Sequence, residues 1–76
     1  MIEAPNRAVE QAHALMEQGR VAEARPLLAQ AIREYRDIER MRRNAPAGTL
    51  GHELAQAARE NLATARALAS QLPRVP

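Results

Sequence analysis

The stretch LMEQGRVAEARPLLAQAI, Leu15–Ile32, decides the fold. Gly19 stands between two segments in which leucines and small residues recur at steps of three and four, the spacing of one helix face. Glycine supplies the left-handed backbone that ends a helix at little steric cost. The stretch therefore reads as the end of one helix, a tight reversal and the start of a second. Ala12, Ala24 and Ala31 fall where the two helices come closest. Small side chains there admit close approach, and a larger residue would overpack the crossing by about 1–3 kcal/mol.

Toward the N-terminus, Ala8, Val9, Ala12, Leu15 and Met16 draw one apolar stripe, and Asn6 is in position to cap the first helix. Toward the C-terminus, Val21, Ala24, Leu28, Ala31, Tyr35 and Ile38 form a longer stripe. Pro26 sits early in it, and its missing N–H predicts a mild bend rather than a break. The second helix runs out in ERMRRN, and NAPAGTLG reads as a loop from its proline and glycines. Thr49 or Gly51, each with Glu53, can start a third helix whose inner stripe is Leu54, Ala58, Asn61, Ala65, Leu68 and Leu72, with Pro73 as its stop. Nothing alternates with period two, so no strand is expected. The expectation is one all-α domain over residues 1–76. It is an up-down-up three-helix bundle, spectrin-repeat-like in outline, with helices near 6–18, 21–43 and 50–72.

Composition sets the limits. A chain of 76 residues has a thin core, and without cysteine it has neither a disulfide nor a thiolate metal site to support it. All 11 basic residues are arginine and 9 acids nearly balance them, leaving a net charge of +2. A high isoelectric point does not by itself signal nucleic acid here. Arginine without lysine, beside abundant alanine, fits a GC-rich bacterial genome. No run of about 18 apolar residues could span a membrane, and MIEAPNRAVE does not read as a secretory signal. A cytoplasmic protein is expected.

The order Ala8, Ala12, Leu15, Gly19, Ala24, Leu28, Ala31 resembles one tetratricopeptide repeat. Its usual aromatic positions are here Ala8 and Leu15, and Arg36 replaces its closing proline. No second repeat follows, and one repeat cannot bury its apolar face alone. AVEQAHALMEQGRVAEARPLLAQAIREY and NLATARALASQL together extend the likeness over nearly the whole chain. The chain looks like a microtubule-interacting and trafficking (MIT) domain, a three-helix bundle whose first hairpin mimics a tetratricopeptide hairpin. The positions that carry the likeness run from Ala12, Glu23 and Ala24 through Leu28, Ala31 and Tyr35 to Leu62, Ala65 and Leu68. The resemblance implies a protein-interaction module that holds a short helical tail of a partner between the second and third helices. Leu62 matches a position that faces such a tail. Arg66 stands where the family usually carries an acid, so the sign reversal points to an acidic or neutral tail.

The residues reach a similar groove without the family. Beside the inner stripe of the third helix lie Ala55, Arg59, Leu62, Arg66 and Ala69, again at steps of three and four. In a bundle of three helices this second stripe is expected to be partly exposed, and it also offers a face for self-association. The rival site is a stripe of arginines at the end of the second helix, Arg33, Arg36, Arg40 and Arg43, which could meet phosphates or anionic lipid. Glu34, Asp37 and Glu39 dilute that field, no aromatics interleave it, and cations also suit a helix C-terminus. Neither His13 nor His52 has a ligand pattern around it, and no nucleophile stands beside a base. The sequence points to no enzyme, no metal and no cofactor.

Overall fold

The computed structural model of the chain describes residues 2–73. Three helices follow one another, α1 (Glu3–Glu17), α2 (Val21–Met41) and α3 (Leu50–Ser70). They form an all-α three-helix bundle.

The reversal at Gly19 has the expected chemistry. Gly19 takes φ +77°, and no other described residue before the second loop has a positive φ. Its N–H donates to the Met16 carbonyl at 3.0 Å, and the Arg20 N–H reaches back to Leu15 O at 2.8 Å. This paired bonding satisfies carbonyls that the helix end would otherwise leave open. Arg20 then grips Glu23 through two hydrogen bonds of 2.5 and 2.7 Å, which holds the Glu23 carboxyl below its usual range. Both groups are exposed, so the pair orders the turn more than it stabilises the fold.

Pro26 lies inside α2 without interrupting it. Its ring faces solvent, so the carbonyl it leaves open can be hydrated. The second loop closes on Thr49, whose N–H and hydroxyl both donate to Pro46 O, at 3.2 and 2.6 Å. The same hydroxyl accepts from the His52 N–H at 3.2 Å, which makes Thr49 rather than Gly51 the N-cap of α3.

The first helix departs from expectation. It begins at Glu3, three residues earlier than Asn6 would place it, and no side chain caps it. Pro5 tolerates this start because the first turn needs no N–H from it. Asn6 is thereby freed from capping and turns inward. The other ends differ by two residues: α2 stops at Met41 and α3 at Ser70, where the chain tightens into a final turn before Pro73.

α2 is the middle element. Ala24, Leu28, Ala31, Tyr35 and Ile38 are all buried, as its stripe predicted, while Val21 is half-buried. Ala12, Ala24, Ala31, Ala58 and Ala65 are fully enclosed at 0 % exposure. The two apolar clusters that result are centred on Tyr35 and on Leu28. Alanine dominates both, so the seams are narrow and each enclosed side chain contributes little area. α1 and α3 each pack extensively on α2 but touch one another only marginally.

Candidate functional site

Two helices laid on a third without closing against each other leave a trough between them. Its floor is α2 and its walls are α1 and α3. Two cavities of about 250 Å³ each open along it. Asn6, Val9 and Glu10 of α1, Tyr35 of α2, and Asn61 and Thr64 of α3 line the first. His13 and Leu68 join Val9, Glu10 and Thr64 around the second.

A polar network crosses the floor of the first cavity. The Tyr35 hydroxyl donates a short hydrogen bond to Asn6 Oδ1. Asn61 Nδ2 donates to the same oxygen at 3.0 Å. One carboxamide oxygen thus ties all three helices together. Asn6 Nδ2 and Asn61 Oδ1 have no protein partner among the described residues, and no buried side-chain polar atom there is left unsatisfied. Both therefore reach solvent, and the floor presents one donor and one acceptor side by side. Burial pushes the Tyr35 phenol above its ordinary range, and the Glu34 and Glu10 carboxylates push it the same way.

The seam between α2 and α3 is differently built. Ala55 is 3 % exposed and belongs to the core, so the expected exposure of that stripe does not reach it. Leu62 is half-buried against the Tyr35 cluster, and Ala69 against the Leu28 cluster. Arg59 and Arg66 are exposed. Arg59 spans the seam to Glu39 at 3.4 Å, and Arg25 spans its other end to the Pro73 carbonyl at 2.7 Å. The physical reason is size: alanines on the facing sides let α3 settle deeply on α2 and fill the seam with the protein's own atoms.

The arginine stripe is only partly available. Arg40 pairs with Asp37 at 2.7 Å and Arg43 with Glu39 at 3.4 Å, while Arg33 and Arg36 make no ion pair among the described residues. All four are exposed on α2 or just beyond it. His13 contacts Glu17 at 3.2 Å on the surface of α1, and His52 lies in the first turn of α3. Among the described residues no three of His, Cys, Asp and Glu gather as a metal would require, and no helix is long and apolar enough to cross a membrane.

Periodicity alone does not reveal the trough: it offers Asn6 as a helix cap and places Asn61, Val9 and Leu68 on inner stripes. The available signal was the pair of asparagines at inner-facing positions, since a polar side chain among core residues needs a partner or an opening. No protein-family model matches the chain, and neither a curated protein nor a solved structure matches it.

Proposed function

We propose that the chain is a protein-interaction module that holds a short amphipathic helix of a partner protein in the trough between α1 and α3. The observation that carries this reading is the packing pattern: both outer helices rest on α2 and leave their mutual edge open. Seating a fourth helix there would complete a four-helix arrangement. Val9 and Leu68 offer apolar contacts, and the Asn6 and Asn61 amides offer a donor and an acceptor to a polar group of the guest. A groove this small supports a dissociation constant on the order of micromolar or weaker. The reading takes the module to act in the cytoplasm, and it assigns the chain neither catalysis nor a cofactor.

It keeps the class of function that the MIT resemblance implies and moves the docking site by one face. A helical-peptide library selected on the immobilised domain, with the winners titrated into 15N-labelled protein, separates the sites. Amide shifts are expected at Asn6, Val9, Thr64 and Leu68. Thr64→Trp, which fills the trough from an exposed position, is expected to weaken binding at least about tenfold, a change of about 1.4 kcal/mol. Arg66→Glu is expected to leave it unchanged. Shifts at Leu62, Arg66 and Ala69 with the opposite response of the two variants would move the site to the α2–α3 seam. Binding confined to DNA or anionic vesicles, with shifts from Arg33 to Arg43, would replace the reading with anion binding.

A further inference from the structure

The trough also carries information about the charge of its guest. On α1, Glu3, Glu10 and Glu17 stand seven residues apart, alongside the trough stripe Ile2, Asn6, Val9, His13 and Met16. On α3, Glu60 stands alongside Ala57, Asn61, Thr64 and Leu68, while Glu53, seven residues earlier, lies before the point where α1 begins. Residues spaced by seven return to the same helix face. Four of the chain's 9 acids, Glu3, Glu10, Glu17 and Glu60, thus fall on the two rim faces; Glu10 lines both cavities, and no arginine lines either.

Most of the chain's carboxylates have partners, Glu17 of the α1 rim among them, which contacts His13. Those of α2 are engaged: Glu23 with Arg20, Asp37 with Arg40, Glu39 with Arg43 and Arg59, and Glu34 with the Gln30 amide. Glu10, Glu53 and Glu60 are exposed and make no ion pair among the described residues. Eleven arginines are available in the chain, so the open carboxylates do not reflect a shortage of cations.

We infer that the guest of the trough is a basic amphipathic helix, apolar on the side that meets Val9 and Leu68 and bearing Lys or Arg on the two flanks that meet Glu10 and Glu60. The inference rests on the docking reading above and deepens it. In paired helices the charges flanking an apolar seam select the partner, and rims acidic on both sides select a guest that is basic on both. Asn6 meets Asn61, so the part of α3 that lies opposite α1 runs from Ala58 to Ser70, about 18 Å at 1.5 Å per residue, which matches about three turns of guest helix. The acidic or neutral guest expected from Arg59 and Arg66 belongs to the α2–α3 face and not to this one.

Two synthetic helical peptides of about three turns provide the test. They share one apolar pattern, and their flanking positions are all Lys in one and all Glu in the other. Each is titrated into 15N-labelled protein at low and at high salt. The Lys peptide is expected to shift Asn6, Val9, Thr64 and Leu68 and to bind at least about tenfold more tightly than the Glu peptide, with the difference shrinking as salt rises. The double variant Glu10→Gln, Glu60→Gln is expected to cut that preference to under about threefold while its melting curve stays in place. Equal binding of both peptides in the trough would overturn the charge inference and leave the docking reading standing. Absence of trough shifts with either peptide, together with no trough binder from the library, would overturn both. Concentration-dependent self-association that Arg33→Glu, Arg36→Glu abolishes would give the trough to a second copy of the chain and overturn the inference.

Discussion

The two seams that α2 makes with its neighbours and the trough that α1 makes with α3 are built from different residue types. In the seams, alanines at 0 % exposure face each other and the backbones close over them. In the trough, two half-buried asparagines meet side chain to side chain, Thr64 beside them is exposed, and the helices stay apart. Alanine lets two backbones approach closely, whereas the larger asparagines meet through their side chains and keep the backbones further apart. The comparison teaches that in an alanine-rich bundle the opening lies where polar residues break the stripe.

The largest effect should come from filling a seam. Ala24→Leu is expected to destabilise the fold by about 1–3 kcal/mol, because space for the added isopropyl group must be made at an enclosed crossing. Thermal melts measure it, beside Ala63→Leu at an exposed site of α3, which should change little. Comparable small shifts in both would mean that the seam yields as easily as a surface.

Next is the tie across the floor. Tyr35→Phe removes one of the two donors to Asn6 and is expected to cost about 1 kcal/mol, a fall of roughly 4–8 °C in the melting midpoint for a domain of this size. The Tyr35 phenol also sets a pH limit. Its folded pKa is raised by burial first and by Glu34 and Glu10 second. The protonated form is therefore favoured in the fold. Its contribution is complete below the unfolded value of about 10 and is lost as the pH rises through the folded value. A spectrophotometric titration should place ionisation above that of free tyrosine, and Tyr35→Phe should flatten the alkaline loss of stability.

The smallest effect sharpens the contrast from the other side. Thr64→Leu puts into the trough the kind of side chain that would wreck a seam, yet the change in stability should stay within about 0.5 kcal/mol. A destabilisation as large as that of Ala24→Leu would mean the trough is closed in solution.

Much of this architecture is legible in the residues. Gly19 announces the reversal, and the α2 stripe from Ala24 to Ile38 is buried as its spacing requires. Helix ends were read less well because Asn6 has two physically sound uses. It can cap a helix or satisfy a buried phenol, and only the presence of Tyr35 and Asn61 across the bundle decides between them. The stripe on α3 and the trough differ for a related reason. Periodicity reports which face of a helix is apolar, but not which of two neighbours settles more deeply against it. Leu62 and Ala69 sit on a seam that closed, and Val9 and Leu68 on an edge that did not.

Every extensive seam joins helices adjacent in the chain. The search for native partners is therefore short at each step, and folding on a microsecond to millisecond scale is expected of such local wiring. The Asn6–Asn61 bond spans 55 residues and has the most loop entropy to overcome. It should form after the folding barrier is crossed, so it acts as a latch that slows escape from the native state without hastening arrival there.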